Sequence, residues 1–241
     1  MQSFIQYRNK KPSHYKGILE HADPGLHDHV ISVIKNSVCE NAVILDMGAG
    51  EGAMSQRMFD AGYKVIALDI DEENFKAQGP EFHQMNFNDR DRVNQFAEKY
   101  NEYFDVVLGM EVIEHLENPW AYIRLLKKMA KQGGKIIVTT PNTASWLSRF
   151  YFLFTGEFSS FNDQTADGYG HVSPISPWEL ELIFKREGLK NSRIMKGGSL
   201  PAIWITKNIL VLVSVALSPI FRPFMKGYSK GWCIIAVGEK G

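Results

Sequence analysis

Asp46-Met47-Gly48-Ala49-Gly50-Glu51-Gly52 follows directly on the apolar run Ala42-Val43-Ile44-Leu45, and this junction decides the fold. Val43 to Leu45 reads as a short buried strand. Three glycines at alternate positions force a tight turn, and Ala53 to Phe59 reads as the helix leaving it. Strand, glycine turn and helix together open a nucleotide site, because missing Cβ atoms let a ligand lie against the backbone. Gly48, Gly50 and Ala53 also fit the dinucleotide pattern G-x-G-x-x-A, so a nicotinamide-dependent oxidoreductase is the first alternative.

Asp46 argues against that alternative. It stands two residues before the first glycine, at the carboxyl end of the strand, where a carboxylate would repel a pyrophosphate. It suits a ligand with a cationic sulfonium and an ammonium group. Lys64 to Ile70 then reads as a second strand ending in an acid, Asp69, about twenty residues past the turn. That is the position that holds a ribose in dinucleotide folds, and one carboxylate can accept from both ribose hydroxyls. Phe82 to Asn86 reads as a third strand and Phe104 to Met110 as a fourth. Gly133 to Asn142 reads as a fifth, with a glycine turn before it and Pro141 near its end.

In these blocks, and in Glu111-Val112-Ile113-Glu114-His115-Leu116 after the fourth strand, the chain resembles the class I S-adenosylmethionine-dependent methyltransferases. Within them it is similar to the ubiquinone-biosynthesis O-methyltransferases and to related small-molecule and surface-polysaccharide enzymes. The resemblance covers roughly residues 40 to 195. It implies a Rossmann-like α/β fold with helices on both faces of a seven-stranded, mostly parallel sheet whose last strand is antiparallel. It also implies that S-adenosylmethionine lies against Asp46, Gly48, Ala49, Gly50, Gly52, Asp69, Ile70 and Met110. Asn86 or Phe87 would meet the adenine; many relatives carry an acid at that point, so Asn86 is a departure.

Length and composition agree with a single domain. The chain has 241 residues, enough for one α/β core. Its 27 basic and 27 acidic residues cancel, and the pI is about 7.1, so no broad nucleic-acid footprint is expected. Cys39 and Cys233 have no metal-ligand spacing and read as reduced, buried, cytosolic thiols. The first residues carry no apolar core of signal-peptide length, which points to a cytoplasmic protein. Pro24 to Val38 reads as a helix, part of a helical cap over residues 1–40 that the resemblance places on the cofactor side. A helix from about Ser176-Pro177 to Gly188, a strand near Ser192 to Met195 and a buried last strand from Trp232 to Val237 complete the pattern.

Two regions depart from the minimal fold. In the expected substrate-side cap, residues 143–175, Trp146, Phe150, Tyr151, Phe152, Phe154, Phe158 and Phe161 crowd into sixteen positions. They either wall an apolar or ring-shaped acceptor or pack a cap helix. Between the last two strands, within residues 198–230, Leu200 to Phe224 includes the uncharged run Ile209 to Leu217. A single membrane crossing there would leave the last strand on the wrong side of the bilayer. A buried lid, an oligomer contact or a segment lying at a membrane interface all fit. Flanking Lys196, Lys207, Arg222, Lys226 and Lys230 favour peripheral contact at the inner face.

Glu111, Glu114 and His115 are the candidate catalytic cluster. At i, i+3 and i+4 of a helix or turn, all three would share one face. Two carboxylates and an imidazole suit a divalent cation, and the resemblance implies magnesium, with His171 as a further ligand. Alternatively His115 acts as a general base without metal, or the block only stabilises the fold. The expected reaction is direct displacement on the sulfonium methyl by a hydroxyl of a small molecule, glycan or lipid-linked acceptor. A non-catalytic S-adenosylmethionine-binding protein is the other alternative, and the oligomeric state is left open.

Overall fold

The computed structural model describes residues 13–198, 200 and 209–241. Residues 201–208, Lys207 among them, therefore lie outside the described residues. The chain opens with a hairpin, β1 (His14–Tyr15) and β2 (Ile18–Leu19), turned by Lys16 and Gly17 at φ 50° and 82°. Of the expected N-terminal cap, the described residues form this hairpin and one helix, α1 (Leu26–Lys35); residues 1–12 lie outside the described residues.

Alternation then takes over: β3 (Val43–Met47), α2 (Ala53–Asp60), β4 (Lys64–Asp69), β5 (Glu81–Gln84), α3 (Arg90–Lys99), β6 (Phe104–Met110), α4 (Pro119–Met129) and β7 (Ala130–Pro141). Beyond β7 come α5 (Trp146–Thr155), α6 (Asp163–Tyr169), α7 (Pro177–Arg186), β8 (Leu189–Gly197), α8 (Ile209–Phe221) and β9 (Cys233–Lys240). Local signals set several starts. Asn118 caps α4 and Ser176 caps α7, each with proline next in line at the first helical position.

The main sheet has seven strands in the order β5-β4-β3-β6-β7-β9-β8. β3 to β7 pair in parallel, and β9 runs antiparallel between β7 and β8, as expected of the last strand. Strand periodicity divides the core between the two faces. Leu45, Leu68, Val107, Ile136 and Val138 pack with α3, α4 and α7 on one face. Ile44, Val65, Val106, Leu108 and Ile137 pack with α1, α2 and α5 on the other. Each such side chain fully removed from water contributes about 1.5–3 kcal/mol. The chain reverses its direction of travel across the sheet between β3 and β6. Their carboxyl ends form the crevice where open α/β sheets bind ligands.

Cys233 is buried, whereas Cys39 is exposed, correcting the expectation of two buried thiols. Cys39 falls in the turn between α1 and β3, outside both core layers. Among the described residues, no helix is long and apolar enough to cross a membrane.

Candidate functional site

The glycine turn is built from main-chain bonds at the crevice. Gly48 and Ala49 N–H groups donate to the Leu68 carbonyl at 2.8 and 3.0 Å, holding the turn onto the end of β4. Gly48 has φ +83°, and a Cβ there would sit 2.3 Å from Val112 Cγ2. Any side chain at this position meets both backbone strain and a clash. Gly50 N donates to Asp69 Oδ2 at 2.8 Å, and Asp71 N donates to Asp69 Oδ1 at 3.1 Å. Both Asp69 oxygens are thereby aimed, and each keeps a lone pair for a further donor. Ile70 beside it is 58% exposed, an apolar side chain open at the crevice where a flat ring would cover it. Asn86 is exposed and its side-chain oxygen accepts from Asn88 N, while Phe87 packs partly into the core.

Asp46 is buried and accepts from Ser55 Oγ at 2.6 Å. Burial pushes its carboxyl up to about 6, with the Ser55 bond working against that and the Asp69 charge adding to it. Ser55 was not signalled by any motif spacing: it lies one turn into α2 and finds Asp46 only because that helix packs back on β3. Glu51, also in the turn, accepts from Lys76 Nζ at 2.5 Å and lies 3.2 Å from His21 Nε2. Those contacts clamp the glycine turn to the segment after the N-terminal hairpin through His21 and to the β4–β5 connection through Lys76. This donor set fits S-adenosylmethionine: a buried carboxylate for cationic groups, an aimed carboxylate for the ribose and an open apolar ledge.

The acidic cluster differs from its expected geometry. Glu111 sits at φ +51°, so no continuous helix runs from it; a short 3₁₀ turn, Ile113–His115, begins two residues later. Glu111 instead turns to the sheet. Thr139 Oγ1 donates to its Oε1 at 2.7 Å, and Cys233 Sγ donates to its Oε2 at 3.3 Å. Burial raises the Glu111 carboxyl above its ordinary range. The expectation that Glu111, Glu114 and His115 converge is therefore corrected.

What converges is Glu114, His115 and His171, with one donor atom from each within 4.8 Å of the others. Main-chain bonds bring them together. Val172 and Ser173 N–H groups both donate to the Glu114 carbonyl at 2.9 Å, fastening the His171 segment to the turn. His115 Nδ1 meets the Gly170 carbonyl at 3.2 Å, and His171 Nδ1 meets the Ser160 carbonyl at 2.9 Å. A carbonyl can only accept, so each Nδ1 carries the hydrogen and each Nε2 keeps its lone pair. Burial lowers both imidazoles, keeping them neutral near pH 7. Glu114 is fully buried, and its carboxyl has no well-formed hydrogen bond; the Thr140 hydroxyl beside it is also unpaired by geometry and lowers the carboxyl's pKa only slightly. Burial first, and the Glu111 charge second, raise it well above the ordinary carboxylate range. A buried carboxyl close to two neutral imidazoles is a donor set that fits a divalent cation.

Residues 24–194 match the family model described as a methyltransferase domain. The chain belongs to the class I S-adenosylmethionine-dependent methyltransferase family. It is 32% identical over 178 residues to the ubiquinone biosynthesis O-methyltransferase of Aliivibrio fischeri, covering 69% of this chain and 74% of that protein. It is 29% identical over 163 residues to the enzyme so named from Cereibacter sphaeroides, covering 62% of this chain. The methyltransferase spans about three fifths, 61%, of that relative's length. Its fold is also that of an Archaeoglobus fulgidus S-adenosylmethionine-dependent methyltransferase, with TM-score 0.57 and 17% identity over 89% of this chain and 94% of that one. A nicotinamide oxidoreductase is not favoured.

The aromatic-rich segment is partly core and partly exposed. Trp146 and Phe150 are core residues, and Phe161 faces His171 with ring centroids 5.5 Å apart. Phe152 and Phe154 are exposed and point away from the core.

Proposed function

We propose that this methyltransferase O-methylates a hydroxyl of a small-molecule, glycan or lipid-linked acceptor at the cytoplasmic face of a membrane. The observation that carries the hydroxyl reading is the His115–His171 pair with both Nε2 lone pairs free to take a proton. A carbon acceptor needs a stronger base than a neutral imidazole.

S-adenosylmethionine supplies an activated methyl group on its sulfonium when bound. Gly48, Ala49, Gly50 and Gly52 shape the turn against it, Asp69 holds the ribose hydroxyls, and Ile70, Asn86 and Phe87 border the adenine. Asp46 and Met110 border the methionine end. Residues 143–175 form the substrate-side cap. The chain's main task is orientation of the acceptor oxygen behind the methyl carbon, which can lower a barrier by about 7–11 kcal/mol in favourable cases. His115 receives the hydroxyl proton on Nε2 while the Gly170 carbonyl holds its ring. In the alternative arrangement Glu114, His115 and His171 would instead hold a magnesium ion, with Nε2 as a ligand and not a base, and the ion would lower the pKa of a bound hydroxyl.

The test is incubation with methyl-labelled S-adenosylmethionine and fractionated small-molecule and lipid extracts of the source cell. Label recovered as a methyl ether supports the reading. Label on nitrogen or carbon overturns it.

A further inference from the structure

α8 is apolar on both sides: Val215 and Leu217 pack against the core, and a second apolar stripe faces outward. Ile209, Leu212, Ala216 and Ile220 form one stripe along it, and that stripe is exposed. Ser214 and Ser218, on the opposite face, are buried. A helix packed on a globular core for its own sake shows a polar face to solvent, and the outer stripe of α8 has none.

α5 lies beside α8, joined through Phe150 and Phe221, whose rings meet at 5.9 Å. It extends the exposed apolar surface with Phe152, Leu153 and Phe154, and Phe224 projects beyond α8 at 81% exposure. Basic residues outnumber acids here, the acids being Glu157 just past α5 and Glu181, which accepts from the Tyr228 hydroxyl. Residues 142–155 and 209–232 contain Arg149, Arg222, Lys226 and Lys230 and no aspartate or glutamate.

We propose that the paired faces of α5 and α8 are a docking surface for an anionic lipid bilayer. Apolar side chains of this kind enter the headgroup–acyl boundary while the basic residues meet anionic headgroups. The platform stands at the carboxyl end of the sheet, beside the candidate site. Trp146 N–H donates to the Ser229 carbonyl, and Arg149 Nη2 donates to the Lys226 carbonyl, tying α5 to the segment after α8. Ser148 Oγ accepts from Ser159 N, next to the Ser160 carbonyl that holds His171. Docking rests on the acceptor reading above only for its purpose, presentation of a lipid-borne hydroxyl to His115. The contact itself stands on the two helices.

Flotation through a sucrose gradient tests it, with vesicles of phosphatidylcholine alone or with phosphatidylglycerol added. The full-length protein should float with the anionic vesicles. A triple variant, Leu153→Glu, Ile220→Glu and Phe224→Glu, changes only exposed positions and should bind at least tenfold less. Lys226→Ala with Lys230→Ala keeps every apolar contact and should lose the preference for anionic vesicles, each lysine being worth about fivefold. Calorimetric titration with S-adenosylmethionine checks that both variants keep the fold. Wild-type protein that stays at the bottom with both vesicle types overturns the proposal. So does a wild-type dimer that the triple variant dissociates, because a second copy then covers the face. A wild type that floats yet binds no S-adenosylmethionine leaves docking intact and sinks the methyl-transfer reading instead.

Discussion

His115 and His171 meet ring edge to ring face, with centroids 4.9 Å apart, although 55 residues of chain separate Gly170 from His115. Each is held by a main-chain carbonyl on Nδ1. The pair is thus oriented by backbone, leaving the two Nε2 atoms for chemistry.

Replacing His115 by alanine should lower methyl transfer by about 10²–10⁴-fold, the usual worth of a positioned general base. Because burial lowers its pKa, wild-type activity should hold below pH 6.5 and fall only as the imidazole finally protonates. A pH–rate profile with its acid limb at or above the ordinary histidine value would contradict this.

If Glu114, His115 and His171 hold magnesium, chelator should abolish transfer and added magnesium restore it. Unchanged rates in excess chelator would leave His115 as a base acting alone.

Asp69→Ala should weaken S-adenosylmethionine at least tenfold, since losing a charged acceptor costs about 1.5–3 kcal/mol. Gly50→Val should do the same by another route, because Gly50 sits at φ +54° and its N–H is the group that aims Asp69. Titration calorimetry showing wild-type affinity in both, with the fold intact, would remove the glycine turn from the cofactor site.

Sequence resolved the sheet and the cofactor turn because both rest on local signals: apolar runs, glycines at fixed offsets, acids at strand ends. The acidic cluster was misread because i, i+3 and i+4 share a face only on a continuous helix, and Glu111 at φ +51° breaks it. His171 was reachable only through the family resemblance, since two long-range bonds to the Glu114 carbonyl bring it in. α8 was illegible for a different reason. An uncharged run with two serines shows no amphipathic pattern, so which face turns outward is decided by packing alone.

Asp46 should register cofactor binding as a proton release. Its carboxyl is pushed up to about 6 by burial, so at pH 6 roughly half the molecules carry the proton. A cationic ligand favours the ionised form and expels it. Affinity should therefore weaken as pH falls below about 6. Calorimetry in two buffers of different ionisation enthalpy should detect the released proton, and Asp46→Asn should abolish it.

Glu114→Gln should stabilise the protein while impairing transfer. The buried carboxyl has no well-formed hydrogen bond, only the neighbouring Thr140 hydroxyl, and its pKa is raised in the folded state. The folded state therefore binds its proton more tightly than the unfolded chain does. Stability falls as pH rises above the ordinary carboxylate pKa, and a neutral amide escapes that penalty. The gain should be largest near pH 7.5 and small near pH 4.5. Relief of one uncompensated buried group is about 1–3 kcal/mol, and each kcal/mol shifts Tm by about 2–4 °C in a chain of this size. Thermal melts of both proteins at the two pH values decide it. A variant less stable than wild type at pH 7.5 would mean that Glu114 has a structural partner, and the cation reading of the cluster would fall with it.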